Sequence, residues 1–485
     1  MGSLMPLLPI VGALIGLFSL SLLVPLAFAW VGLDAARPAF AQALGVTAAC
    51  GTLLWWFTRR HKRELQPRDG FLLVVLVWTV LPAFAMLPLV WAMPGLSVTD
   101  AYFESMSGLT ASGGTVLSGL DALPLSINVW RCFLQFLGGL GVIVLAVAVL
   151  PLLGVGGSQL YKAEMPGPMK DAKLTPRIAE TARGLWVVYF VLALACMLAY
   201  RAAGMGWADA FMHMSSTVAL GGFSAYDASF GHWNSPLLEA VAIVFMLLAG
   251  VNFARYFVVW RTRSLLPLLR CVETRSYLLV IFGVTALITG YLLAHGTYTS
   301  GFEALRQTAF HVVSLATTTG YSSTDYAEWP VFAPMMMILL GCFAGCAGST
   351  SGGIKMIRML LLIKQARREL VRIVHPRAVV PVTLGGQPVP DQVMASVIAF
   401  MMIYGATLAG LTLAMLFTGL EPITAATAVL ASVNNIGPGL GDVGPSVNFQ
   451  SLNDLQTWIC TLGMLLGRLE LLSVLVLLTP QFWRK

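Results

Sequence analysis

The chain has 485 residues, 58% of them hydrophobic and only 11% charged, with 29 Lys+Arg against 22 Asp+Glu for a formal net charge of +7. So little polar surface cannot cover water-facing domains of this length, which excludes soluble modules and leaves a multispanning membrane protein. The basic excess lies between alternate apolar spans, so it reports membrane topology rather than a nucleic-acid surface.

Stretches almost free of charge recur over 4–33, 39–58, 71–99, 132–153, 185–200, 240–253, 277–299, 331–354, 393–417 and 458–478, roughly ten spans of bilayer-crossing length. The first has no basic start and is long and proline-interrupted, so it reads as a retained helix and not a signal peptide. Basic residues gather after the second, fourth, sixth, eighth and tenth spans (Arg59–Arg68, Lys162–Arg183, Arg255–Arg275, Lys355–Arg377 and Arg484–Lys485), leaving Arg37, Arg131, Arg201 and Arg306 on the other side. The positive-inside rule puts the first set and both termini in the cytoplasm. Seven scattered cysteines without a Cys-x-x-Cys pair and six unclustered histidines suggest neither a disulfide framework nor a metal centre.

Along the chain, an N-terminal two-helix unit (1–64) precedes four units of the same plan: pore unit 1 (65–165), pore unit 2 (166–268), pore unit 3 (269–378) and pore unit 4 (379–485). Each reads as span, short amphipathic helix, glycine island and span. The predicted fold is therefore an all-α membrane protein with four pseudo-symmetric helix–pore-loop–helix units around a central pore. The re-entrant helix and loop do not cross, so each unit crosses twice and all four face one way. The linkers are cytosolic and rich in Pro, Gly and charge, as in Ala163–Pro168 and Gly385–Pro388.

The islands carry the chemistry. They end at Gly113, Gly222, Gly320 and Gly437; Ser107, Ser216 and Ser314 lie six residues earlier, with Ala431-Ser432 in the fourth copy. Ordinary external loops are also Gly/Ser-rich, but that explains one island and not four in register. Stripping water from a monovalent cation requires replacement oxygens at fixed distance, which backbone carbonyls supply without a trapping charge. Glycine lets the strand turn those carbonyls inward. The lining residues are expected to be Ala111-Ser112-Gly113, Leu220-Gly221-Gly222, Thr318-Thr319-Gly320 and Asn435-Ile436-Gly437. Their side chains are dissimilar, so the ligand should be main chain. The third copy, Thr-Thr-Gly-Tyr, comes closest to the sequence of potassium channels. The preceding helix aims its partially negative C-terminus at the membrane centre. Asp100, Glu104, Asp209, Glu303 and Glu421 near its start serve either as helix caps or as attractors of cations at the mouth.

Unit 3 has a broken second span. The run from Gly341, through Gly345, Gly348, Ser349, Thr350 and Ser351 to Gly352 and Gly353, is too rich in glycine and hydroxyls for a stable helix in lipid. It reads as a gate below the filter or as close packing through small residues. Arg468 stands inside the last span, where an arginine costs about 2.5–3.5 kcal/mol on insertion scales. It is expected either to face the pore and limit cation occupancy, or to pair with an acid on another helix; Glu470, two residues on, is badly placed for that. Gly439–Gly444 fits the dinucleotide fingerprint but follows no strand and opens no βαβ unit. No phosphate-binding loop is present. A membrane enzyme would need paired acids, a histidine pair or a nucleophile with its base at membrane depth, and none stands there, so a non-enzyme is expected.

The chain resembles the bacterial TrkH potassium-uptake subunits, within the wider TrkH/TrkG/KtrB superfamily, over nearly its full length. The carriers are Phe103-Glu104-Ser105, Trp130-Arg131 with Leu134–Gly139, Leu160–Pro168, Gly221–Ser224, Thr317–Tyr321, Gly348–Gly353 and Gly467–Glu470. The first filter departs, reading Thr-Ala-Ser-Gly-Gly where relatives often have Thr-Thr-Thr-Gly-Ala. The resemblance implies K⁺ as the transported ion and a homodimer with one pore per subunit in the bacterial cell inner membrane. It also implies a cytosolic TrkA-like regulatory ring, so that NAD(H), ATP or ADP acts only through that partner. The basic stretch Arg358–Arg377 is a docking surface for the ring or a contact with anionic membrane lipid. Potassium uptake is the expected activity, as channel or symport, with Rb⁺ as surrogate. The alternative is a Na⁺-coupled or weakly selective monovalent cation transporter.

Overall fold

The computed structural model describes residues 5–60, 66–144 and 174–484. The Leu160–Pro168 motif, the Ala163–Pro168 linker and the expected unit boundaries near 64 and 165 lie outside the described residues. The N-terminal hairpin consists of α1 (Leu8–Val31) and α2 (Arg37–Thr58). They cross closely because glycines stand where the backbones meet: a Cβ on Gly12 would lie 3.1 Å from Gly51 O, and one on Gly51 would lie 2.9 Å from Gly12 O. Gly12 and Gly16 are spaced as in small-residue membrane helix pairs, where close backbone approach replaces the missing hydrophobic driving force.

Unit 1 follows with α3 (Arg68–Ala92), the short α4 (Val98–Leu109) and α5 (Leu125–Val144). Unit 2 has α6 (Leu174–Ala202), α7 (Trp207–Ala219), α8 (Pro236–Ala249) and α9 (Phe253–Thr262). Unit 3 comprises α10 (Val272–Ala294), α11 (Gly301–Ala316), α12 (Phe332–Gly341) and α13 (Met356–Val374). Unit 4 has α14 (Asp391–Phe417), α15 (Pro422–Asn434), α16 (Asp454–Arg468) and α17 (Leu472–Leu478). The only sheet among the described residues is a two-residue antiparallel hairpin, Thr383–Leu384 with Gln387–Pro388.

Among the described residues, seven helices are long and apolar enough to cross a membrane, or nine if each bent pair is one span. Their outward faces are apolar and uncovered, as at Leu279 (68% exposed), Phe282 (60%), Met402 (72%) and Leu413 (65%). Such continuous apolar exposure requires a lipid solvent. The interior has two large cores, one mainly from units 2 and 3 and one mainly from the hairpin with units 1 and 4, and two smaller clusters.

The structure departs from the expected spans in one respect. Unit 3 is not alone in having a broken second span: α8 and α9 meet at 87°, and α16 and α17 at 104°. At the first bend, the Phe253 N–H donates to Gly348 O (3.0 Å) and the Asn252 side chain caps α9. At the second, Glu470 and Leu471 both adopt positive φ. Apolar runs report length and not direction, so the bends are invisible in hydropathy.

Candidate functional site

The four short helices α4, α7, α11 and α15 end alike. In α4 the Ala111 N–H donates to Gly108 O (3.0 Å) and the Ser112 N–H to Ser107 O (2.9 Å). The pairs Leu220 to Thr217 and Gly221 to Ser216, Thr318 to Leu315 and Thr319 to Ser314, and Asn435 to Ser432 and Ile436 to Ala431 repeat this at 2.8–3.2 Å. This is the Schellman closure, whose outer bond spans six residues and whose penultimate residue turns left-handed. Ala111, Leu220, Thr318 and Asn435 take that turn at φ +50°, +55°, +62° and +53°. None is glycine, so each carries backbone strain that the surrounding structure must hold. Two residues later Gly113, Gly222, Gly320 and Gly437 are again at positive φ, between +75° and +98°. The residue six before each glycine, Ser107, Ser216, Ser314 and Ala431, is thus the one whose carbonyl accepts the outer Schellman bond.

The four loops close on each other in a ring. A Cβ added to Gly113 would strike Gly221 O of the second loop; one on Gly222 would strike Thr319 O of the third; one on Gly320 would strike Ile436 O of the fourth. One on Gly437 would lie 3.1 Å from Ser112 O of the first. Each glycine therefore faces the carbonyl preceding the next glycine, in the order one, two, three, four and back to one. Eight of the twelve expected lining residues, Ser112, Gly113, Gly221, Gly222, Thr319, Gly320, Ile436 and Gly437, make these approaches. An open vestibule is bounded by residues from all four loops, including Gly113, Gly222, Gly320 and Gly437.

Several side chains beside the ring are engaged elsewhere. Leu220 and Ile436 pack into the core of units 2 and 3. Thr319 Oγ1 bonds Thr317 Oγ1 (2.8 Å), and the Asn435 side chain donates to Met464 O (3.3 Å). Thr318 Oγ1 accepts the Gly352 N–H (2.8 Å) from the broken segment below.

That segment, between α12 and α13, passes under the loops and is tied to several elements. Thr350 Oγ1 donates to Val218 O at the end of α7 (3.0 Å), and the Cys346 N–H donates to Gly250 O (3.1 Å). Glu273 Oε1 accepts the N–H of Ala347 and of Ile357, and Lys355 Nζ donates to Ser351 O. Gly348, Ser349, Ser351, Gly352, Gly353, Lys355, Arg468 and Glu470 line a second cavity. Gly345 lies outside that lining, against the Ser351 side chain.

Arg468 is buried, and its guanidinium donates to Thr350 O at 3.0 Å and to Gly138 O at 3.4 Å. Among the described residues it has no acidic partner, so the expected alternative of an ion pair does not form there. Glu470 instead pairs with Arg358 at 2.5 Å. Arg358 is itself buried over the Phe400 ring, so it belongs to the interior and not to a docking surface. Glu104 is a second correction. It neither caps α4 nor stands at the mouth, but is buried against Arg131 at 2.7 Å. Asp100, by contrast, lies in the first turn of α4, where its N–H donates to the Ser97 cap (3.0 Å), and Glu421 caps α15. Residue types alone did not expose Gln135, whose buried carboxamide donates to Gly221 O (2.6 Å) and accepts the Phe223 N–H (3.0 Å). Its place in the Leu134–Gly139 motif was the only signal.

The family model for TrkH, described as "Cation transport protein", matches residues 36–485. The chain belongs to the TrkH family. This family member is 46% identical over 477 residues to the Trk system potassium uptake protein TrkH of Escherichia coli K12, covering 98% of both chains. It is 40% identical over 481 residues to the E. coli K12 Trk system potassium uptake protein TrkG, covering 98% of this chain and 97% of that one. Its fold superposes with a TM-score of 0.92 on the crystal structure of the potassium transporter TrkH from Vibrio parahaemolyticus, at 42% identity and 99% coverage of each chain. The fourfold helical architecture is therefore that of the TrkH transporters.

Proposed function

We propose that the chain is the K⁺-conducting subunit of a bacterial uptake system in the inner membrane, with both termini cytoplasmic. The observation that carries this reading is the closed ring of four left-handed–x–glycine loops. Main chain is the donor common to all four loops, because Leu220 and Ile436 turn into the core and Thr318 toward the broken segment. Main-chain oxygens on strained, buried loops cannot readily move inward around a smaller ion, which favours a larger dehydrated cation such as K⁺. Four short helices direct their C-terminal ends at the same place and add attraction for positive charge.

The Gly345–Gly353 segment is the gate in this reading, closed by its bonds to Val218, Thr318 and Arg468. Lys355 and Arg468 line the cavity beneath the ring together with Glu470, so its lining carries two cationic groups against one acid and disfavours lasting cation occupancy there. A homodimer with a nucleotide-binding cytosolic ring as partner fits the relatives' naming as parts of a Trk system. Opening then consists of displacing the segment.

The dissimilar filter sequences favour one second reading, a weakly selective monovalent cation pathway. Purified full-length protein in liposomes, loaded with K⁺ and assayed for ⁸⁶Rb⁺ influx, separates the two. Inhibition by external K⁺ and not by equal Na⁺ supports K⁺ selectivity. Equal inhibition supports the second reading, and no influx above empty liposomes refutes both.

A further inference from the structure

Behind each filter loop, a side chain nine or ten residues before the glycine on the short helix braces the strand that leaves it, directly in three units and through Ser224 in the second. The residue nine before the glycine is Glu104 in unit 1, His213 in unit 2 and His311 in unit 3. Glu104 Oε2 accepts the N–H of Val116, three residues past Gly113, at 3.0 Å. His311 Nε2 accepts the N–H of Ser323, three residues past Gly320, at 3.2 Å. In unit 4 the ninth position is Ala428, and its neighbour Thr427 supplies the contact: its Oγ1 accepts the N–H of Leu440, three past Gly437, at 2.9 Å. Unit 2 makes the link through one hydroxyl: His213 Nε2 lies 3.0 Å from Ser224 Oγ, which accepts the Tyr226 N–H at 3.1 Å.

The chemistry differs while the geometry repeats. His311 Nδ1 lies 2.7 Å from Gln307 O, which can only accept, so that nitrogen carries the proton and Nε2 is left as the acceptor. His213 is arranged likewise, with Nδ1 2.9 Å from Asp209 O. Unit 1 uses a charged group, and Arg131 joins it to the second loop by donating to Ser224 O at 3.0 Å. The Schellman bonds fix how each loop enters its glycine. These contacts fix how it leaves. Between them the glycine, the one residue with little intrinsic preference, is held from both sides.

We propose that Glu104, His213, His311 and Thr427 are positioning residues that set the ion preference of the ring by bracing the outgoing strands. This rests on the reading of the ring as a K⁺ filter. The test is the Rb⁺/Na⁺ permeability ratio of purified full-length protein in liposomes, a quantity independent of how much protein inserts. In His311→Phe the acceptor is lost and a ring of similar size retained. In Thr427→Val the acceptor is lost at nearly constant shape. Each is expected to lower the ratio by about threefold or more, the scale of one hydrogen bond. His311→Gln and Thr427→Ser, which restore an acceptor, are expected to return it toward wild type. A wild-type ratio in both Phe and Val variants overturns the proposal, as does a fall that the acceptor-restoring variants share equally. If His311→Phe does not assemble, the Thr427 pair decides alone. Absence of Rb⁺ influx in the wild type would instead strike the filter reading itself.

Discussion

Gln135 offers the sharpest test of whether main-chain geometry governs the ring. Its carboxamide straddles Gly222, donating to Gly221 O and accepting from the Phe223 N–H, and is fully buried. Gln135→Met keeps length and volume while removing both bonds. Each bond contributes about 1 kcal/mol net, and each buried group left unpaired costs about 1–3 kcal/mol, so the held geometry of the second loop loses roughly 2–6 kcal/mol. Even the lower figure shifts the balance between held and displaced loop about 30-fold. Gln135→Glu is the informative partner. An ionised carboxylate still accepts the Phe223 N–H but sets an acceptor against the Gly221 carbonyl, where no bond can form. It also brings negative charge to the cation pathway. If geometry governs, both variants lose discrimination between ⁸⁶Rb⁺ and ²²Na⁺ in liposome influx. If attraction governs, Glu raises influx and keeps the wild-type ratio. A Met variant with both wild-type thermal stability and wild-type ratio would refute the argument.

Three further outcomes follow from the same contacts. Gly320→Ala should abolish most Rb⁺/Na⁺ discrimination, because its Cβ would collide with Ile436 O and lie 2.8 Å from Pro438 Cδ at φ +85°; Gly296→Ala, at φ +70° in open space, isolates the backbone strain of about 1–2 kcal/mol and should leave the ratio alone. Arg468→Ala removes a charge-assisted bond to Thr350 O of about 1.5–3 kcal/mol, so Rb⁺ influx should rise as the segment loosens, and unchanged influx counts against the gate. Arg131→Met should cost about 3–5 kcal/mol of stability in detergent melting by stranding Glu104, and the double change Glu104→Met with Arg131→Met should recover much of it.

Much of this architecture is legible in the sequence because the bilayer simplifies the reading. Span lengths, the alternation of basic linkers and the four glycines all follow from the cost of polar groups in hydrocarbon. What escapes is set by contacts between distant segments. The left-handed residues before the filter are Ala, Leu, Thr and Asn, types that share no preference for positive φ. The conformation is imposed by the outer Schellman bond, whose only trace is the spacing to Ser107, Ser216, Ser314 and Ala431. Arg358 reads as surface charge from its basic neighbours, yet it pairs with Glu470 more than a hundred residues away. Glu104 reads as a helix-start acid, yet Arg131 draws it inside.

The mismatch among the four filter sequences is itself an argument about mechanism. Were side chains the ion's ligands, Leu220 and Ile436 would leave two quarters of the shell without oxygen. They lie instead in the core. Within the repeated turn, the one residue type kept in all four loops is glycine, the one whose Cβ would occupy the neighbouring loop's carbonyl. A constraint confined to that atom is what a ring of touching backbones imposes, because each loop must leave room for the next while its own side chains answer only to the local core. The freedom of Ser112, Gly221, Thr319 and Ile436 to differ therefore supports a main-chain site, provided the strands are held from behind, as Gln135 holds the second loop.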